Sequence, residues 1–149
     1  MKERRRILGE NAIGGQWELV DSKGNLKKSE DFQGQWLLIY FGYTHGVNRY
    51  PRELEKLLEV TKTFDTKPDY PKLQPIFITV DPLRDTPAVV DQYISEFSSN
   101  VIGLTGSVSQ VKDTCRKFRV YFSASPKRQD GSYYVSDHFM FKNEKKLSD

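Results

Sequence analysis

The chain has 149 residues, which suits one domain with a real core. With 37% hydrophobic, 29% charged and 13% aromatic residues, the composition excludes a disordered chain. The net charge of +3 comes from Lys and Arg spread along the sequence, clustered only near the ends (Lys2, Arg4, Arg5, Arg6; Lys142, Lys145, Lys146), so nucleic-acid binding is not expected.

A single cysteine, Cys115, excludes an intramolecular disulfide and any multi-cysteine metal site. There is no run of about 18 apolar residues, so no transmembrane helix is predicted. No signal or targeting pattern is visible either. The expectation is that the chain itself makes no membrane contact. Residues 1–12 form a basic flank, 13–141 one domain and 142–149 a polar tail.

In chain order, Ile13 to Leu19 reads as an entry strand, followed by a turn at Asp21-Ser22-Lys23-Gly24-Asn25. Trp36-Leu37-Leu38-Ile39-Tyr40-Phe41 is a continuous apolar run, too short for a helix and stopped by Gly42. It predicts a buried central strand. Pro51 suits a helix N1 position, and Leu54, Leu57, Leu58 and Thr61 follow at helical spacing. Ile76 to Val80 is a second buried strand, ended by Asp81-Pro82. Thr86 and Pro87 form an N-cap and N1 pair for a helix whose apolar face is Val90, Tyr93, Ile94 and Phe97. Ser107 caps a third helix, with Val108, Val111, Cys115 and Phe118 on its apolar face. Val120-Tyr121-Phe122 predicts a short strand and Tyr133 to Phe141 another. The order is strand, strand, helix, strand, helix, helix, strand, strand. Strands separated by helices imply crossovers and a mainly parallel centre, and the later adjacent strands imply an antiparallel edge. A thioredoxin-like α/β sandwich, a central mixed sheet flanked by helices, fits that order.

Several blocks resemble one family. Gln35 to His45, then Pro51-Arg52-Glu53-Leu54-Glu55-Lys56, closely resembles the Sco proteins. Asp81-Pro82-Leu83-Arg84-Asp85-Thr86-Pro87, Gly103-Leu104-Thr105-Gly106, Phe118 to Ser123 and Val135-Ser136-Asp137-His138 match further family blocks in the same order. The resemblance runs from about Leu8 to Phe139. It implies a thioredoxin-like copper metallochaperone of cytochrome c oxidase assembly, in the mitochondrial intermembrane space and tethered to the inner membrane. It implies as partners a cytochrome c oxidase subunit, other Sco proteins or copper donor proteins.

The resemblance also implies a copper site made of two loop cysteines and one histidine. Here Gly46 and Tyr50 hold the two cysteine positions, and His138 holds the histidine position. Val47 and Asn48 stand where the family usually has proline and aspartate. Cu(I) is soft and prefers thiolates. Glycine offers no donor, and a phenol of unperturbed pKa about 10 is largely neutral at pH 7. Tight Cu(I) binding by this chain is therefore predicted to be absent. A weak Cu(II) site using His138 with His45 or Tyr50 is the less favoured alternative. His138 is then better read as a structural histidine, and His45 as a loop-packing residue.

Thiol-disulfide exchange needs an exposed thiolate and a resolving thiol, and Cys115 sits on an apolar helix face. A thiol-disulfide oxidoreductase or redox sensor is disfavoured, and no enzymatic activity is expected. Asp81 is expected to end a strand, with Arg84 and Asp85 a surface or loop-fixing pair before the Thr86 cap. After His138 the family continues into a returning strand and a helix. Phe139-Met140-Phe141 instead runs into Lys142 to Leu147, so the C-terminal hairpin and helix are expected to be cut short. That predicts an exposed sheet edge and a route to a homodimer. The sequence thus leaves a site-deficient docking module and a non-functional truncated copy both open.

Overall fold

The computed structural model describes residues 14–44, 50–97, 100–120 and 138–143, with backbone alone at 50–53 and 138–143. Six strands form one sheet: β1 (Glu18–Asp21), β2 (Leu26–Lys28), β3 (Trp36–Gly42), β4 (Leu73–Thr79), β5 (Ile102–Thr105) and β6 (His138–Asn143). Three helices cover it: α1 (Tyr50–Asp65), α2 (Pro87–Ser95) and α3 (Val108–Lys117). The strand order is β2-β1-β5-β4-β3-β6. β5, β4 and β3 run parallel, β1 is antiparallel to β5 and β2, and β6 is antiparallel to β3. This is the thioredoxin-like sandwich expected from the order of elements, with a parallel centre and antiparallel flanks.

The centre is buried on both faces, as its unbroken apolar runs require. Leu37, Ile39, Tyr40, Phe41, Ile76, Phe77 and Ile78 are all fully buried. Alternation along the strands divides the aromatics between the faces. Tyr40 stacks near Phe77 at 5.8 Å, and Phe77 near Tyr93 of α2 at 5.6 Å. Phe41, one residue on, meets Phe118 at the end of α3 at 5.4 Å. The Tyr40 ring also folds over the backbone of Gly42, where a Cβ would stand 2.7 Å from the phenolic oxygen. Only glycine admits so close an approach.

The helix predictions hold in their caps and most of their faces. Leu54, Leu57 and Thr61 of α1 are buried, as are Val90 and Ile94 of α2. α1 starts at Tyr50, so Pro51 lies in its first turn, where a missing N–H is tolerated. Thr86 caps α2, accepting from Val89 N–H, and Ser107 caps α3 in a reciprocal box with Gln110. Val108 departs from its predicted place and is exposed; Val111, Thr114, Cys115 and Phe118 line the inner face. Val108 is the first residue of the helix, before the inner stripe meets the sheet.

Several strand expectations need correction, among them β2, which the sequence reading did not contain. The entry strand spans 18–21, not 13–19. Gly14 and Gly15 have φ of 90° and 139°, outside the strand region, and Gly14 N–H donates to Lys117 O at 2.7 Å. That segment therefore docks on the end of α3, and Lys117 Nζ donates to Gln16 O. β2 follows the predicted turn, in which Asp21 Oδ1 accepts from Lys23 and Asn25 N–H at 2.9 and 2.8 Å. β4 begins at Leu73, three residues early, because Leu73 is itself buried beside Trp36 in the register.

β5 lies between the two helices that the sequence reading made adjacent. It is only four residues long and includes Gly103, so it carries little strand signal. The glycine is needed there, because a Cβ would stand 2.9 Å from Ile94 Cδ1 and would also strike Val90. Val120 closes α3 and is not in a strand. Val120 N–H donates to Cys115 O at 2.8 Å and Arg119 N–H to Arg116 O at 3.1 Å, with Arg119 at φ 58°. That is a Schellman closure with a non-glycine residue in the left-handed position. Tyr121 and Phe122 lie outside the described residues. β6 runs 138–143, entering the segment read as tail, and 133–137 lie outside the described residues.

Candidate functional site

The three parallel strands end together on one rim of the sheet. β3 leads there into the 44–49 loop, β4 into Asp81 to Thr86, and β5 into Gly106 and the Ser107 cap of α3. β6 is antiparallel to β3, so its first residue, His138, lies at the same rim, opposite Phe41. α1 begins on this rim with Tyr50. Two of the three residues that the family resemblance puts at ligand positions, Tyr50 and His138, therefore have backbones at the carboxyl end of β3. Gly46 and His45 lie outside the described residues, as do the side chains of Tyr50 and His138.

The described part of the rim is organised around one carboxylate. Asp85 is fully buried. Its Oδ2 accepts from Thr44 N–H at 2.9 Å and from Thr79 Oγ1 at 2.7 Å, and its Oδ1 accepts from Thr44 Oγ1 at 2.6 Å. Thr105 Oγ1 donates to the Asp85 carbonyl at 2.6 Å, and Asp85 N–H donates to Asp81 O at 2.9 Å. Thr79 and Thr105 are the last residues of β4 and β5, and Thr44 lies two residues beyond β3. One residue thus ties three strand ends together, β3 and β4 through its carboxylate and β5 through its main-chain carbonyl. Buried hydrogen bonds to a carboxylate are worth about 1.5–3 kcal/mol each, so an aspartate whose side chain accepts three of them is a firm fixture.

Asp81 and Arg84 form the outer layer. Asp81 N–H donates to Thr79 Oγ1 at 2.9 Å, and Arg84 Nε donates to Asp81 Oδ2. The Arg84 guanidinium stands 6.0 Å from the centre of the buried Tyr43 ring, a cation–π distance. Asp81 ends its strand as expected. Of the surface or loop-fixing roles expected for Arg84 and Asp85, Asp85 takes the loop-fixing one, buried and bonded to Thr44, but the two do not act as a pair: Arg84 reaches back to Asp81. The three threonines were passed over in the sequence. Their only signal was position, since Thr79 and Thr105 lie at or next to the end of an apolar run.

Cys115 is remote from this rim in function. It is buried on the inner face of α3, and burial pushes its thiol pKa up to about 11. At neutral pH it is a protonated core side chain, and the thiolate that exchange chemistry needs is not formed.

Comparison with known proteins accounts for the whole arrangement. The SCO1/SenC family model matches residues 5–144. The mouse (Mus musculus) "Protein SCO2 homolog, mitochondrial" is 46% identical over 138 residues, covering 92% of this chain and 54% of that protein. The human (Homo sapiens) "Protein SCO1 homolog, mitochondrial" is 44% identical over 137 residues, covering 92% and 45%. The chain therefore spans about half the length of the curated relatives it matches. Among solved structures, yeast Sco1 with copper bound superposes with a TM-score of 0.79 at 38% identity, over 89% of this chain and 75% of that one. The chain belongs to the SCO1/SenC family.

Proposed function

We propose that this chain is a Sco-type protein of copper delivery to, and assembly of, cytochrome c oxidase, with its own Cu(I) site impaired. It acts by docking family partners and not by carrying metal. Family membership supports the first part, together with solved relatives whose structures hold copper. The donor set supports the second. Gly46 and Tyr50 occupy the positions at which the family bears cysteine, which leaves His138 as the one retained ligand position. The residues present do not fit a Cu(I) site, because one imidazole without thiolates is a poor soft-metal donor set.

The partners proposed are an oxidase subunit, another Sco protein or a copper donor protein. A second copy of the chain along β6, at the edge of the described sheet, is a further candidate. The mitochondrial relatives support a mitochondrial location, which we refine to the intermembrane space beside the inner membrane. Among the described residues no helix is long and apolar enough to cross a membrane. The role is non-enzymatic. A thiol-disulfide oxidoreductase is disfavoured by the buried, protonated Cys115.

The test is to restore both ligands, Gly46→Cys with Tyr50→Cys, and titrate Cu(I) against a chelator. The restored chain should bind one Cu(I) tightly where the unaltered chain binds none. Failure of a correctly folded double variant to bind would contradict the proposal that ligand loss alone separates this chain from its copper-binding relatives. A broad, non-cooperative thermal melt of the unaltered chain would instead favour a non-functional product.

A further inference from the structure

We propose that Asp85 is a positioning residue for the segment that carries the proposed ligand positions: its buried carboxylate clasps Thr44 to the carboxyl end of β4, and its main-chain carbonyl fixes it to the end of β5. The functional meaning of this inference rests on the reading of 44–50 as the family's ligand loop. The clasp itself is a matter of geometry.

Thr44 gives Asp85 both of its donors, the backbone N–H at 2.9 Å and the hydroxyl at 2.6 Å. A residue that donates twice to a fully buried, otherwise anchored carboxylate has its backbone position and its side-chain rotamer fixed together. The carboxylate is anchored in turn. Thr79 holds Oδ2, Thr105 holds the main-chain carbonyl, and Asp81 O receives the main-chain N–H. β3 itself ends at Gly42, and Val80 N–H donates to Gly42 O at 2.8 Å. The sheet therefore releases the chain at Gly42, and Asp85 takes hold of it two residues later. Thr44, the residue before 45–49, is thereby a fixed point.

A purely structural aspartate would stabilise β4, β5 and α2 without regard to the loop. The bonds to Thr44 make the difference, because they reach 41 residues back along the sequence to the loop alone. Loop order should thus depend on Asp85 and on the Thr44 hydroxyl, separately from global stability.

The experiment is amide NMR and hydrogen exchange on the full chain and on Thr44→Val, Thr44→Ser and Asp85→Asn. Asn at 85 sets an NH₂ donor against groups that are themselves donors. Thr44→Val should stay folded, shift the amides of residues 45–50 more than those of 102–105, and weaken Thr44 N–H protection by about tenfold or more. Thr44→Ser, which keeps the hydroxyl, should restore the parent pattern. Asp85→Asn should exceed Thr44→Val in the same amides; if it fails to fold, the threonine pair decides alone. Unchanged 45–50 amides in a folded Thr44→Val, or changes no larger than those in β5, would overturn the clasp.

Adding Thr44→Val to the Gly46→Cys, Tyr50→Cys chain should then lower Cu(I) affinity about 10–100-fold, the usual cost of losing a supporting shell. Equal affinity would overturn the positioning role while leaving the proposed function intact. No binding by the restored pair would overturn the proposed function, with the amide data still deciding the clasp.

Discussion

The one thiol of this chain and the ligand positions proposed at the rim lie in opposite kinds of environment. Cys115 sits among Val111, Thr114 and Phe118 on the buried face of α3, where desolvation raises its pKa to about 11. The ligand positions proposed for the family site bear Gly46, Tyr50 and His138 and no thiol, and the backbones of Tyr50 and His138 begin their elements at the rim. The core thiol contributes packing, while the rim keeps its frame around Asp85 and, on the proposed reading, has no thiolate donors. Fold and metal chemistry are therefore specified by nearly separate residues. The first set can persist while the second changes.

The largest effect that would break this separation is in the core. Phe77→Ala removes a ring packed between Tyr40 and Tyr93 and should cost about 3–5 kcal/mol in denaturant unfolding. A much smaller loss would mean that the central sheet is not the core of stability. Alkaline pH probes the other half of the comparison. Cys115 has a folded pKa of about 11 against a reference of 9.0, so the folded state holds its proton more tightly. That contribution is fully present below about pH 9 and is lost as pH rises towards 11. It amounts to about 3 kcal/mol, and Cys115→Ala should flatten that part of the pH profile. Below pH 9, native Cys115 should react with a thiol reagent only as fast as the protein opens. Rapid labelling of the native chain would contradict a core role.

Smaller effects sharpen the picture. Ser107→Ala removes one side of the α3 capping box and should cost about 1 kcal/mol. Val108→Ser, at the exposed first position of the same helix, should change stability by less than about 0.5 kcal/mol. A larger loss there would restore Val108 to the inner face that its spacing first suggested.

What the sequence showed and what it hid have distinct physical causes. β3 and the apolar faces of α1, α2 and α3 were legible because burial writes itself as local periodicity, and Thr86 and Ser107 because caps are local. β5 was hidden by its four residues and by Gly103, whose reason is a contact with α2. The end of α3 was misread as a strand because Arg119 takes a left-handed φ that glycine usually marks. The Asp85 clasp was hidden most deeply, since Thr44, Thr79 and Thr105 are far apart in sequence and follow no period. The ligand positions were visible only through family resemblance. The register that sets His138 opposite Phe41 required the structure.

The most direct measurement of the central claim is a Cu(I) titration of the unaltered chain against a high-affinity chelator. The account predicts that the chelator keeps all of the copper and that no thiolate-to-copper charge-transfer band develops. Stoichiometric capture of one Cu(I) per chain would contradict it, because Gly46, Tyr50 and His138 would then form a site that their donor chemistry denies.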